Sequence, residues 1–303
     1  MKIFITGGCG YVGYSLVKNL SQCDFVDSIT IYDNLSRPSI NFFFGQPNEG
    51  LANIRFIKGD LLDGYKIGRS LRGHDVVIHL AAKVSTPFSE SNIHEFDQVN
   101  NWGTAVLSSE VERTPSVAHL IYLSSVSVYG NSNGIELNVD SAVAPQSAYG
   151  QSKLKGEKHI MRLANRLNVS VLRSANVFGF NPSIRLDSVV NRFMFDANYL
   201  GRIEVHGTGN QKRAFIYIQS LAEFIIYEIV KDGSGVRNLA QFNLSINDLV
   251  DEVKALYPAT SIFRLDQHLS MRSVAVQIDK NKSEGEEFTR LLLSFKEHFK
   301  YNL

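Results

Sequence analysis

The chain has 303 residues, 44% of them hydrophobic and 20% charged, with a net charge of +1. That length supports a sizeable core and about two domains, and the near-neutral total argues against a partner held by bulk charge, so no nucleic acid and no membrane surface is expected. Two cysteines, Cys9 and Cys23, exclude a disulfide framework and fit a reducing, cytoplasmic setting.

Lys2–Thr6 is apolar but too short for a signal peptide, and it reads as a strand. Tyr11–Ser21 follows as a helix with Val12, Leu16, Val17 and Leu20 on one face. Ser28–Tyr32 and Ile54–Ile57 read as strands, Leu61–Leu71 as a short helix and Asp75–Leu80 as a fourth strand. A long helical region, Glu90–Glu112, precedes a fifth strand at Ala118–Leu123. Ala148–Arg166 is a helix and Val169–Arg173 a sixth strand. Apolar strands separated by helices predict a parallel sheet covered on both faces, and right-handed crossovers make it a doubly wound α/β sheet of the Rossmann type.

After Asn176 the alternation stops. Ile203–His206 and Arg213–Ile218 read as strands, Ser220–Val230 as a helix, and Val274–Ile278 as a weak strand. The apolar stretch from Ala214 to Val230 is interrupted by Gln219, Glu223 and Glu228, so no membrane span is expected. The expected division is a dinucleotide-binding unit of residues 1–176 with about 213–237. A smaller C-terminal substrate-binding lobe, residues 177–212 and 238–303, closes over the carboxyl edge of the sheet.

Thr6-Gly7-Gly8-Cys9-Gly10-Tyr11-Val12-Gly13 lies between the first strand and the first helix. Gly7 permits the tight turn, Gly10 the approach of a pyrophosphate, and Gly13 close packing of helix on sheet. The helix N-terminus supplies free N–H donors to an anion. Asp33 ends the second strand, 20 residues beyond Gly13, where a carboxylate accepts the adenosine ribose hydroxyls. Its charge repels a 2′-phosphate, which favours NAD over NADP, with Arg37 nearby as a moderating charge.

Tyr149 and Lys153 stand four residues apart, on one face of a helix. A phenol ionises at about pH 10, and nearby positive charge brings it toward use as a base. Ser125, in the run Ser124–Gly130 after the fifth strand, can hydrogen-bond both the tyrosine and a reacting oxygen. Each piece alone is common; all three at strand and helix ends are not.

These motifs together resemble the extended short-chain dehydrogenase/reductases, specifically the NAD-dependent sugar-nucleotide epimerases and dehydratases of the UDP-glucose 4-epimerase type. They include the glycine loop, Tyr32-Asp-Asn-Leu-Ser36, Gly59-Asp60-Leu61, His79-Leu80-Ala81-Ala82, Ser124–Gly130, Ser147–Lys153 and Leu172–Gly179, so the likeness spans residues 1–240. The resemblance implies roles. Gly7, Gly10, Tyr11, Val12, Gly13, Asp33, Asn34, Asp60, Leu61, Leu80, Ala81, Ala82 and Asn100 would serve the cofactor, Asn100 by holding the surrounding loop. Ser125, Tyr149 and Lys153 would be catalytic, with Tyr149 as the base and Lys153 on the nicotinamide ribose. Asn176, Arg213 and Arg272 would face the substrate diphosphate, and Ser85, Thr86 and Ser125 the sugar. A homodimer through the helix after Glu90 and the helix bearing Tyr149 is expected by the same likeness.

Other residues read more plainly. Cys9 is a small packing residue, since no histidine is placed to activate it. His79 and His119 have structural roles. The eight histidines show no metal-ligand spacing, so no metal is expected. Phe42-Phe43-Phe44 caps the core or forms an exposed patch.

The family's dehydratases carry an Asp-Glu pair after the catalytic threonine, and its decarboxylases a glutamate in that stretch. Here the positions are Val126 and Ser127. Arg213-Ala214-Phe215 and Gln219-Ser220 also replace acids of the family pattern. What remains suits 4-epimerisation through a transient keto sugar. A reductase or dehydrogenase of a keto sugar nucleotide is the alternative, and a non-catalytic NAD-binding regulator a further one.

Overall fold

The computed structural model describes residues 1–37, 40–43, 53–84, 93–265, 272–278 and 284–299. The first strands and helices alternate as β1 (Lys2–Thr6), α1 (Tyr11–Leu20), β2 (Ser28–Asp33), β3 (Ile54–Lys58), α2 (Gly64–Leu71) and β4 (Val76–His79). The next helical stretch is α3 (Ile93–Phe96), a π-helical segment (Asp97–Gly103) and α4 (Thr104–Glu112). Then come β5 (His119–Ser125), α5 (Ala148–Met161) and β6 (Asn168–Ser174). The later elements are β7 (Asn176–Phe178), α6 (Val189–Leu200), β8 (Arg202–His206), β9 (Lys212–Tyr217), α7 (Ile218–Val230) and β10 (Gly235–Leu239). The chain continues through β11 (Phe242–Ser245), α8 (Ile246–Leu256), β12 (Ser261–Leu265) and α9 (Glu284–Lys296).

Seven strands form one sheet in the order β10-β6-β5-β4-β1-β2-β3. Every pairing in it is parallel. The order reverses between β1 and β4, which opens a crevice at their carboxyl ends. Alternation within the strands builds two cores. Ile3 and Ile5 point to the face packed by Leu16 and Val17 of α1 and Leu221 and Ile225 of α7. Phe4 points to the other face, with Ile67, Leu107 and Ile160 of α2, α4 and α5. Each fully buried aliphatic or aromatic side chain contributes about 1.5–3 kcal/mol.

A third core lies in the lobe, where Phe178, Phe242 and Phe288 meet Phe193, Ile203 and Leu249. Around it stand a three-stranded sheet, β11-β9-β7, and a two-stranded one, β12-β8.

Several elements depart from the sequence reading. The helix expected from Leu61 starts at Gly64 because Asp63 caps it, its side chain accepting from Lys66 N–H. The helix expected to reach Arg166 ends at Met161 and continues as turns. Val274–Ile278 makes only isolated bridges, to Arg213 and Leu137. The strand β10 was not expected. Its residues Arg237 and Asn238 break the apolar pattern because it sits at the sheet edge, where one side has no neighbour.

Candidate functional site

The carboxyl ends of the central strands and the inner face of the lobe enclose one cleft of about 950 Å³. The glycine loop forms its floor at β1. Gly7 has φ +72°, and a Cβ there would lie 2.6 Å from the Ala81 backbone. A Cβ on Gly13 would lie 2.5 Å from Gly8 O, so α1 can begin this close to the loop only without a side chain. Gly10 caps α1 with no side-chain hydrogen bond, leaving first-turn N–H groups available to an anion.

Asp33 stands at the end of β2 with Oδ2 accepting from Cys9 N–H at 3.1 Å and Oδ1 from Leu35 N–H at 2.8 Å. Two carboxylate oxygens offer about four acceptor positions, so capacity remains for a ribose diol. Burial raises its pKa from the usual carboxylate range. Asn34 donates to Asp60 Oδ2 at 2.9 Å, and Leu61, Leu80, Ala81 and Ala82 complete the apolar wall. A dinucleotide therefore fits the residues present: an open helix start, a glycine cradle and a carboxylate at the second strand.

Asn100 is not among the cleft-lining residues. It lies 1% exposed behind the wall, its Oδ1 accepting from Lys83 N–H and its Nδ2 donating to Lys83 O, both at 2.8 Å. It acts on the loop after β4 and, through a 3.0 Å bond to Ser152 Oγ, on α5. Ser85 and Thr86 lie outside the described residues.

Ser125, Tyr149 and Lys153 all line the cleft. Ser125 is the last residue of β5 rather than a turn residue beyond it. Its Oγ accepts from Ser127 N–H at 3.1 Å, and its side chain hydrogen-bonds Tyr149. Tyr149 sits in the first turn of α5, started by Ser147, whose side chain accepts from Gly150 N–H. Burial raises the Tyr149 pKa, against which Arg185 and the Ser125 hydrogen bond pull it down. Lys153 is 2% exposed, donates to Leu123 O at 2.7 Å and lies 4.6 Å from the centre of the Tyr122 ring. Burial lowers its pKa to about 7, opposed by Glu157. Glu157, also on α5, is itself held by Arg173 at 2.8 Å and by Ser124 Oγ at 2.6 Å, a buried ion pair between α5 and β6.

Two further arginines, Arg213 and Arg272, border the cleft. Arg213 of β9 has its pKa lowered to about 10 by burial and by the neighbouring Arg272. Asn176 donates to Ala214 O at 3.0 Å and borders the same wall. Sequence reasoning missed Arg185 and Asp187, which line the cleft from the loop before α6, and Glu204 and His206 on β8. The alternation of β8 could have found the last two: Ile203 and Val205 are buried in the lobe core, so Glu204 and His206 face the other way. No periodicity marks Arg185.

Burial pushes the Cys9 thiol up to about 12. His79 is fully buried with its pKa lowered to about 3, bonded to Thr6 Oγ1 at 2.7 Å and Thr104 Oγ1 at 2.9 Å. Thr104 donates to Asn100 O, so the proton on the His79 side of that contact is on Nε2. Phe42 packs on Tyr14, whereas Phe43 is 46% exposed; Phe44 lies outside the described residues. Among the described residues no cluster of histidine, cysteine and acidic side chains could hold a metal ion, and no helix is long and apolar enough to cross a membrane.

The chain is similar to a dTDP-D-glucose 4,6-dehydratase of Mus musculus, 27% identical over 86% of this chain and 74% of that protein. It is 29% identical to a putative UDP-glucose 4-epimerase of Methanocaldococcus jannaschii, over 83% of this chain and 81% of that one. The solved UDP-N-acetylglucosamine 4-epimerase of Methanobrevibacter ruminantium M1, in complex with UDP-N-acetylmuramic acid, superposes with a TM-score of 0.85 at 26% identity, over 98% of this chain and 97% of that one. Residues 3–243 match the sequence profile of one family across both the glycine loop and the tyrosine helix, and the chain belongs to that NAD dependent epimerase/dehydratase family, with NAD as its cofactor.

Proposed function

We propose that the protein is a nucleotide-sugar epimerase acting at C4 of the sugar. The observation that carries this reading is the convergence of Ser125, Tyr149 and Lys153 with Arg213 and Arg272 in the cleft that also holds the glycine loop. Gly7 to Gly13, Asp33 and Asp60 would hold NAD, which when bound supplies a reversible hydride acceptor. Arg213 and Arg272 hold the diphosphate of the substrate by charge-assisted hydrogen bonds. Asn176 borders them. Ser125 hydrogen-bonds the sugar hydroxyl and orients it toward Tyr149. Tyr149 takes the hydroxyl proton as the carbon is oxidised, and gives it back when the keto group is reduced on its other face. Lys153 fixes the floor beneath that proton transfer through Leu123 O.

Val126 and Ser127 stand where an acid and base for water loss would be required, which favours epimerisation over dehydration. A reductase of keto sugar nucleotides would use the same groups. The two are separated by denaturing the purified protein and identifying any nucleotide it releases. Stoichiometric NAD or NADH, followed by interconversion of UDP-glucose or UDP-N-acetylglucosamine with its 4-epimer and no net NADH, supports the epimerase. An empty protein that consumes NADH with a keto sugar nucleotide supports the reductase.

The proposed division is a cofactor unit of residues 1–176 with about 213–237 and a substrate lobe from 177–212 and 238–303. Its support is that α7 packs on α1 and β10 joins β6, while α6, α8 and α9 share the separate lobe core. We further propose a cytoplasmic homodimer in carbohydrate biosynthesis, paired through α4 and α5. Ile93 and Trp102, 56% and 60% exposed just before α4, are the apolar surface that pairing would cover. Trp102→Glu is then expected to sediment as a monomer where the unaltered chain sediments as a dimer.

A further inference from the structure

The loop between β7 and α6 is fastened to the glycine loop and to α1 by side chains that are themselves buried. Asn181 is 5% exposed. Its Nδ2 donates to Tyr11 O at 2.8 Å and to Ser15 Oγ at 2.9 Å, and its Oδ1 accepts from Ser183 N–H at 2.9 Å. Ser183 Oγ donates in turn to Cys9 O, inside the glycine loop, at 3.4 Å. A second fastening uses the Tyr11 hydroxyl. It donates to Gly179 O and accepts from Asn191 Nδ2 at 3.2 Å, while Asn191 Oδ1 accepts from Gly179 N–H at 3.0 Å. Asn191, wholly buried, also donates to Arg185 O at 3.0 Å. Each of the two amides therefore uses both N–H donors and its oxygen here. The far end of the same loop meets another part of the cofactor site. Asp187 grips Arg185 in a two-point contact, Nε to Oδ1 at 3.0 Å and Nη2 to Oδ2 at 2.6 Å. Arg37 Nη2, in the segment after β2, lies 3.8 Å from Asp187 Oδ1.

One loop thus touches both the glycine loop, where a pyrophosphate would sit, and the segment after Asp33, where the adenosine ribose would sit. Arg37, Arg185 and Asp187 line the cleft together with Gly7, Gly10 and Asp33. A cofactor leaves such a cleft only when the segments around it part. The two ends of the loop resist parting unequally. Arg37 is 44% exposed, so its contact with Asp187 is screened and opens readily. The other end opens only if Asn181, Asn191 and the Tyr11 hydroxyl lose their buried partners together, and a state with several buried polar groups unpaired is rarely visited. We propose that this loop is a clasp that keeps NAD resident between turnovers, with Asn181 and the Tyr11 hydroxyl as its fastening and the Arg37–Asp187 contact as its free end. Asn181 is then a positioning residue, acting on the cofactor through the glycine loop and α1. The proposal rests on NAD as the bound cofactor and not on which sugar reaction follows. Arg213 and Arg272, assigned above to the substrate diphosphate, lie on other segments, so substrate exchanges with the clasp shut.

The test reads cofactor exchange and needs no substrate. The protein as purified, or loaded with NAD where it comes empty, is incubated with excess isotope-labelled NAD. The nucleotide released on denaturation is then identified over time by mass spectrometry. The unaltered protein is expected to keep its original NAD over hours, and Asn181→Ala to exchange it about tenfold faster or more. Should Asn181→Ala not fold, Tyr11→Phe serves with the same expectation, since it keeps the ring and removes only the hydroxyl. Ser245→Ala removes the α8 cap, away from the clasp, and is expected to lower the urea midpoint without changing exchange. Exchange unchanged in Asn181→Ala or in Tyr11→Phe, unaltered protein that exchanges as fast as these variants, or an equal acceleration in Ser245→Ala would overturn the proposal. Unaltered protein that keeps its NAD in this way yet never interconverts sugar epimers would instead defeat the functional reading and leave the clasp standing.

Discussion

Tyr149, the proposed base, has surroundings that oppose its ionisation. Burial holds the phenol neutral, and only the Ser125 hydrogen bond and the Arg185 charge work the other way. Replacing it by Phe leaves the ring packing intact and removes the proposed proton acceptor. Activity in the epimer interconversion assay is therefore expected to fall about 10²–10⁴-fold with the retained nucleotide unchanged. Loss of the nucleotide as well would mean that the hydroxyl serves binding more than proton transfer. Gly13 is constrained differently. An alanine Cβ would meet the backbone oxygens of Gly8 and Gly7 at 2.5 and 2.6 Å, neither of which can swing away like a side chain. Gly13→Ala is expected to lose about 1–3 kcal/mol of stability in urea denaturation and to release little or no NAD when denatured. Both residues were legible in the sequence: Gly13 by the strand before and the helix after its loop, Tyr149 by its four-residue spacing to Lys153 on one helix. Arg185 was not, since its place depends on Asp187, Asn191 and Tyr11 meeting across the chain.

The helical stretch before β5 shows how one element can carry a local exception. A long helical region was expected here, and within it the Asp97–Gly103 turns widen to π-helical spacing, with Asn100 among them. That position lets one amide serve both the N–H and C=O of Lys83 and reach Ser152 on α5, whose own hydroxyl donates to Tyr149 O at 2.8 Å. Asn100→Ala strands these part-buried partners and is expected to cost about 1–3 kcal/mol, read as a lower urea midpoint with an unchanged slope. A cost under about 0.5 kcal/mol would mean that water replaces the amide. The α8 start, in contrast, follows from local sequence alone: Ser245 and Asp248 form a reciprocal capping box.

Across the whole molecule, a buried polar chain runs from Thr6 on β1 through His79 on β4 and Thr104 on α4 to Asn100 and Ser152, joining β1 to α5. It works only with His79 neutral. The folded chain holds that imidazole at about 3, below the unfolded value of 6.5. Between those values the unfolded chain binds a proton that the folded chain refuses. Stability is thus full above about pH 6.5 and falls as pH drops, by about 1.4 kcal/mol per pH unit for one proton. Urea denaturation at about pH 7 and about pH 5 is expected to show that loss, and His79→Gln to reduce it. An equal slope in the variant would place the acid sensitivity elsewhere.

The sequence by itself determined the doubly wound sheet, its glycine loop, Asp33 and the Ser125, Tyr149 and Lys153 set. Strand and helix periodicities are local, and turn chemistry at their ends places these side chains on the cleft edge. Only the tertiary structure decided β10 and the loop that brings Arg185 and Asp187 to the cleft. An edge strand such as β10 needs few apolar residues, and the loop that carries Arg185 and Asp187 has no period, taking its shape from Asn181 and Asn191 bonded to Tyr11 and Ser15. Those contacts join residues more than 160 positions apart, a distance over which no local pattern in the chain can register them.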